Sequence, residues 1–173
     1  MKKVYLLFLM FFFMNLSASA QIQRKFFDFE LGKTTQSEVK RYLRQKDKYI
    51  EEKDDDTICS SELRFGGHSW NFVVFSFCKD VLCQVYFSES ENHTPRETLN
   101  KIYKNFSEAL SDKYQGYKDP YRSNEEETVY VDYFNHTSIN LRYDLFQGYK
   151  FLTLTYSDFK LRSDSFLEER DEL

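Results

Sequence analysis

The sequence predicts an α+β protein in which two tandem α-βββ units form one antiparallel sheet with both helices on one face. Two observations support this fold class. Residues 69–88 align without a gap with residues 138–157, and apolar positions match apolar positions. A helical pattern precedes each of these segments, and period-two runs separated by turn signals lie within them. Because one unit alone has little to bury against, the duplication would itself supply the core.

The first unit begins with an apolar entry segment, residues 22–31, followed by a helix. Thr35 is placed to cap this helix, because Glu38 follows it at the spacing of a capping box. The acidic residues 51–56 are predicted to be a solvated link. Gly66-Gly67 predicts a two-residue hairpin turn. The predicted strands of this unit cover residues 57–65, 68–77 and 81–88.

The second unit begins with a helix that Thr94 is predicted to cap, with Pro95 at its first position. Its three predicted strands cover residues 128–134, 138–147 and 149–156. The two repeats, about 26–88 and 89–157, make up a single predicted domain, residues 21–157. Residues 158–173 are a charged tail whose apolar side chains could dock on the domain.

The first twenty residues have the pattern of a signal peptide. Lys2 and Lys3 precede a continuous apolar run, and Ala18-Ser19-Ala20 is a small-residue cleavage site. We therefore expect residues 1–20 to be removed on export of a Gram-negative type, leaving a periplasmic or secreted protein that is not inserted in the membrane.

The charge of the chain disfavours nucleic acid as a partner. The formal net charge is −4, and it becomes −6 after removal of a signal that holds two lysines and no acidic residue. Nucleic-acid binding needs a basic face.

The three cysteines predict one disulfide in an oxidising compartment. Cys59, Cys78 and Cys83 all fall in the first repeat, and period-two alternation can place them on one sheet face. Which two of them pair remains open at this level. No histidine lies near them at metal-ligand spacing, so we predict neither a metal site nor a cofactor.

Alternation along the strands also predicts a partner-binding surface. Helix-facing positions are expected at Trp70, Phe72, Val74, Val85 and Phe87. The opposite face of the second repeat is polar, whereas that of the first repeat is apolar. An exposed apolar patch indicates a partner site, unless the entry segment or the tail covers it. The candidate partner-binding residues are Val73, Phe75, Phe77, Leu82 and Tyr86.

The pattern resembles the tandem-repeat domains of the beta-lactamase-inhibitor-protein-like family, whose single unit is shared by small outer-membrane assembly lipoproteins. The resemblance rests on residues 29–39, Phe-Glu-Leu-Gly-Lys-Thr-Thr-Gln-Ser-Glu-Val, followed by an amphipathic helix and a hairpin meander. It covers most of residues 26–157. It implies an exported, non-catalytic protein that binds another protein through an open sheet face. The second disulfide of the inhibitor is absent and no inhibitory contact residue carries over, so beta-lactamase is not supported as the target.

The expected function is that of an exported protein-binding module, an inhibitor or an envelope accessory, whose partner is an unknown protein. One alternative is a structural envelope protein that associates with itself. A small hydrolase is a further alternative, but no local motif supplies a nucleophile and an orienting carboxylate to any of the three histidines, and we do not expect an enzyme.

Overall fold

A computed structural model describes residues 21–146 and 148–171. The predicted signal peptide lies outside them. The described chain contains three helices, which are α1 (Gln36–Gln45), α2 (Arg96–Tyr114) and α3 (Phe159–Asp171). The strands of the first half are β1 (Lys25–Phe26), β2 (Phe29–Glu30), β3 (Glu51–Asp54), β4 (Thr57–Ser60), β5 (Leu63–Phe65), β6 (His68–Trp70), β7 (Phe72–Cys78) and β8 (Val81–Ser90). Those of the second half are β9 (Glu127–Asp132), β10 (Thr137–Phe146) and β11 (Tyr149–Asp158).

The main sheet has seven strands in the order β3-β4-β7-β8-β11-β10-β9. Every neighbouring pair in it is antiparallel, so the predicted α+β class with an antiparallel sheet is confirmed. Strands β8 and β11 join the two halves of the chain at the centre. The hairpins β1-β2 and β5-β6 form separate two-stranded sheets.

One face of the main sheet carries the main aromatic packing layers. The Phe29 ring of the entry segment lies 5.5 Å from the Phe75 ring, and Phe65 of the β5-β6 hairpin stacks on Phe87 at 4.7 Å. Helix α2 covers the second half of the same face, where Tyr103 stacks on Tyr143 at 4.8 Å. Because these layers join, one hydrophobic cluster runs through both halves.

Local sequence signals explain both covering helices. Thr35 and Glu38 form the expected capping box at the start of α1, and Val39 and Leu43 are fully buried beneath it. In α2 the apolar side chains of Leu99, Ile102, Phe106 and Leu110 are buried. The predicted cap at Thr94 is wrong: Pro95 is the N-cap residue and supplies no side-chain hydrogen bond, because the Thr94 hydroxyl donates instead to Glu89.

Three other segments complete the fold, and the first of them differs from the prediction. The acidic link contains the edge strand β3, and its charged side chains are all exposed, which protects a sheet edge from unwanted pairing. The entry segment is part of the core, with Ile22 only 2% exposed. The tail folds into α3, which contacts β7, β8 and β11. Its residue Leu161 lies against Gly32.

Candidate partner-binding face

The predicted partner-binding residues are divided between the two faces of the sheet. Four of the five lie in the hydrophobic core: Val73, Phe75 and Leu82 are 0% exposed and Phe77 is 4% exposed. Phe27 and Phe29 of the entry segment cover Phe75. The prediction that these four residues form an open face is therefore wrong, and the alternative that the sequence left open, cover by the entry segment, is what the structure shows at Phe75. Tyr86 alone lies on the open side.

The position of one hairpin turn explains this inversion. Strand β7 ends at Cys78 and β8 begins at Val81, so the turn is Lys79-Asp80. Asp80 is the last residue before β8, and Gly148 is the last residue before β11; they are 68 positions apart. The gapless alignment of the two halves places equivalent residues 69 positions apart. A shift of one residue moves every side chain of a strand to the opposite face.

A bulge then returns the side chains of β8 to the faces that the sequence predicts for them. Ser76 pairs with Gln84 and Phe77 pairs with Leu82, which leaves Cys83 as an extra residue. Val85 and Phe87 are consequently buried, as predicted. Phe72 and Val74 were predicted to lie under the helices and do not. Alternation counted forwards from the buried Trp70 is misleading, because Asn71 separates β6 from β7 and the two are not one continuous strand.

The open face can be read directly from the strand register. One row of paired residues crosses the sheet through Cys59, Val74, Tyr86, Thr155 and Asn140. The neighbouring row begins at Phe72, which is 37% exposed, and continues through Ser88, Thr153 and Arg142. This face thus carries Phe72, Val74 and Tyr86 in the first half and mostly polar side chains in the second, as the sequence predicts for β10 and β11; Val129 of β9, which pairs with Asn140, is an apolar exception and is 1% exposed.

Tyr86 lies at the boundary between the apolar and polar parts. It is half-buried on β8 and pairs with Thr155 across the central strand pair. Burial raises the pKa of the Tyr86 hydroxyl, and a side-chain hydrogen bond with Ser88 acts in the opposite direction. The hydroxyl is therefore neutral at physiological pH and can act as donor or acceptor.

The polar part is tied together by its own side chains. Arg142 Nε donates to Asp144 Oδ2 at 2.9 Å, and Thr153 Oγ1 donates to the same oxygen at 3.3 Å. Asn140 Nδ2 donates to Glu127 Oε1. The Arg142–Asp144 ion pair is largely exposed, and such a pair contributes little stability, about 0–1 kcal/mol. These contacts fix the side chains into a defined polar surface.

A cleft of about 600 Å³ opens at one end of this face. Ser88 and Ser90 of β8 line it between the rings of Phe72 and Phe151, and Asn92 and His93 lie at its rim. Small residues between two larger rings form a trough. Such a trough can accept a side chain from another molecule.

Two of the three cysteines form the predicted disulfide, Cys78–Cys83, across the β7-β8 hairpin. Cys59 is a buried free thiol, and burial raises its pKa. A buried thiol with a raised pKa is a poor nucleophile. Within the described residues, no cluster of three or more His, Cys, Asp or Glu side chains could hold a metal ion.

A buried carboxylate that the sequence analysis missed joins three elements on the covered side. Glu89 is 1% exposed. It accepts hydrogen bonds from the Asn71 backbone and side chain and from Thr94 Oγ1, and it lies 3.2 Å from His68 Nε2. The Thr94 hydroxyl bonds to the carboxylate rather than to the imidazole, unlike a nucleophile held by a general base. This network joins β6, β8 and the start of α2.

Comparison of the chain with protein-family profiles, curated proteins and solved structures finds no match in any of the three. Among the described residues, no helix combines the length and the apolar run that a membrane crossing requires.

Proposed function

We propose that the chain is an exported, non-catalytic protein-binding module that binds its partner through the open sheet face. The observation that carries this proposal is the one-sided cover of the sheet. The entry segment, the β5-β6 hairpin and α2 pack on one side, and on the other Phe72, Val74 and Tyr86 adjoin a fixed polar surface. A mixed surface with an aromatic centre is typical of protein interfaces.

We also propose that the domain consists of two α-βββ units, as the sequence suggests. Tyr86 pairs with Thr155, and these residues are 69 positions apart. On either side, Val85 pairs with Tyr156 and Phe87 pairs with Leu154. An offset of 69 positions relates Val85 to Leu154 and Phe87 to Tyr156, so it converts one of these pairs into the other. This register supports an approximate two-fold axis between β8 and β11. The hairpin β5-β6 and strand β3 would then be additions to the first unit.

Export is supported by two features. The first twenty residues have the composition of a signal peptide. The Cys78–Cys83 disulfide is compatible with an oxidising compartment.

The test compares two variants of the same face in co-purification from an envelope extract of the source organism. Phe72→Asp places a charge in the apolar part, and Ser138→Asp places the same charge in the polar part. We expect Phe72→Asp to lose the co-purifying protein while its melting temperature changes little. Ser138→Asp should retain the partner.

Light scattering on the purified protein separates binding of another protein from self-association. A monomer with a partner that depends on Phe72 supports the proposal. A partner retained by Phe72→Asp, or a stable dimer formed through this face, would contradict it.

A further inference from the structure

The turn between β9 and β10 presents two neighbouring aromatic side chains to solvent. Tyr133 is 72% exposed and Phe134 is 86% exposed. They belong to the aromatic turn, residues 133–136, at the end of the sheet and outside the residues of the open face. Loop tips are usually polar and mobile, so a pair of exposed aromatic residues on such a turn needs an explanation.

The backbone of the aromatic turn is held by a buried carboxylate. Asp132 is 2% exposed. Its Oδ1 accepts from the backbone N–H groups of Phe134 at 3.1 Å and Asn135 at 3.0 Å, and its Oδ2 accepts from Asn135 Nδ2 at 2.8 Å. The carboxylate therefore fixes the two peptide groups that carry and follow the more exposed ring.

A second set of contacts fixes the turn from the other side. Arg24 donates to the carbonyl of Asn135 and to Thr137 Oγ1. The Phe159 N–H donates to the carbonyl of His136 at 2.9 Å, and the Phe159 ring lies 6.0 Å from Tyr133 and 5.7 Å from His136. The turn is thus joined to both the entry segment and α3.

We propose that the aromatic turn is a preorganised anchor that inserts Phe134, with Tyr133 beside it, into a concave apolar pocket of a protein partner. Aromatic residues that fill pockets dominate the energy of protein interfaces. A backbone already fixed in its bound form loses less entropy on association. The turn spans four residues between two paired strands and is the tip of a hairpin, so a pocket is the complementary surface.

The observations favour a protein pocket over a lipid surface. The chain carries a formal net charge of −4, which opposes approach to an anionic bilayer. The inference goes beyond the proposed function, because the aromatic turn could anchor a partner whether or not the open face takes part.

The first experiment replaces Phe134 with the photo-crosslinking residue p-benzoylphenylalanine in the full protein and irradiates it in an envelope extract of the source organism. The matched control carries the same residue at Tyr121, which is 96% exposed in another loop. We expect a protein adduct at position 134 that is missing at position 121. The adduct identifies the partner, which is then purified.

The second experiment measures affinity for that purified partner. Phe134→Ser should weaken binding by about tenfold or more, as for an interface hot spot, with an unchanged melting temperature. Tyr121→Ser should bind within about twofold of the wild type. Phe72→Asp is measured alongside. If Phe72→Asp loses affinity for the partner and Phe134→Ser does not, the proposed function is upheld and this inference is overturned. If Phe134→Ser loses affinity and Phe72→Asp does not, this inference is upheld and the open face is not the binding site for this partner.

Three further results would overturn the proposal. One is an equal yield of adduct at positions 134 and 121, or none at either. Another is an adduct between two copies of this chain, together with a dimer in light scattering. The last is co-sedimentation with vesicles of phosphatidylcholine and phosphatidylglycerol (4:1) that Phe134→Ser abolishes.

Discussion

At the scale of single residues, Phe72 and Phe75 lie three positions apart on β7 in opposite environments. Phe75 is 0% exposed beneath the entry segment, and Phe72 is 37% exposed on the open face. Phe75→Ala should lower the free energy of unfolding by about 3–5 kcal/mol, because it leaves a cavity in the core. Phe72→Ala should cost about 1 kcal/mol. Urea unfolding of both variants measures the difference, and equal losses would contradict this assignment of faces.

The buried tyrosines make the protein sensitive to alkaline pH. Burial, followed by the neighbouring Tyr103, raises the pKa of Tyr143 to about 12. Burial also raises the pKa of Tyr156, which is 3% exposed. In the unfolded chain both hydroxyls ionise near pH 10. The folded state therefore holds these protons more tightly, and its advantage is complete below pH 10 and lost as the pH rises towards 12.

We expect the urea midpoint to fall steadily above pH 10. Tyr156→Phe cannot ionise, so its midpoint should fall less steeply between pH 9 and 11 than that of the wild type. An identical slope for Tyr156→Phe and the wild type would contradict the assignment.

At the scale of elements, local signals predict the helices well and the hairpins unevenly. Thr35 and Glu38 predict the start of α1 because a capping box depends only on nearby residues. Gly66-Gly67 predicts the β5-β6 turn, where both glycines have positive φ. Lys79-Asp80 also adopts positive φ at both positions, 53° and 63°; Asp tolerates this conformation, but Lys does not signal it and no glycine is present. That turn fixes which side of β7 is buried, so the candidate site was placed on the wrong face.

The bulge at Cys83 and the break at Asn71 could not be read from alternation either. The bulge depends on pairing with the preceding strand, and the break coincides with hydrogen bonds to Glu89, eighteen residues away. Both are consequences of tertiary contacts. By contrast, the polar face of strands β10 and β11 was predicted correctly, because these strands pair without a bulge.

The disulfide is an element-scale constraint on the β7-β8 hairpin. Its two cysteines are five positions apart. Closing so short a loop restricts the unfolded chain modestly, so Cys78→Ser/Cys83→Ser should lower the free energy of unfolding by about 2 kcal/mol. Urea unfolding measures this loss.

A thiol titration provides the control for the pairing. The native protein should show almost no reactive thiol, since Cys59 is 1% exposed, and the unfolded protein should show one. Three thiols in unfolded protein recovered from an oxidising compartment would contradict the disulfide. Two thiols remaining in the Cys78→Ser variant would be consistent with it.

At the scale of the whole molecule, the sheet separates stability from binding. The covered face holds one core cluster that contains residues from both halves of the chain. The open face and the aromatic turn lie outside that cluster, so substitutions there can change recognition with little change in folding. This division makes the proposed binding surfaces testable in a folded protein.

The shared core also predicts that both halves unfold together. Strands β8 and β11 pair through seven residue pairs, and Trp70, the single tryptophan, reports on the first half. Leu141→Ala removes a fully buried side chain from β10 in the second half, which should cost about 2–5 kcal/mol. If both halves unfold as one cooperative unit, this loss must lower the urea midpoint measured by Trp70 fluorescence as much as the midpoint measured by circular dichroism. The dependence of the free energy of unfolding on urea concentration should stay unchanged. Leu145→Ala, at a 73% exposed position, should shift neither transition. A fluorescence transition that stays in place while the circular-dichroism curve moves would mean that the two halves unfold independently.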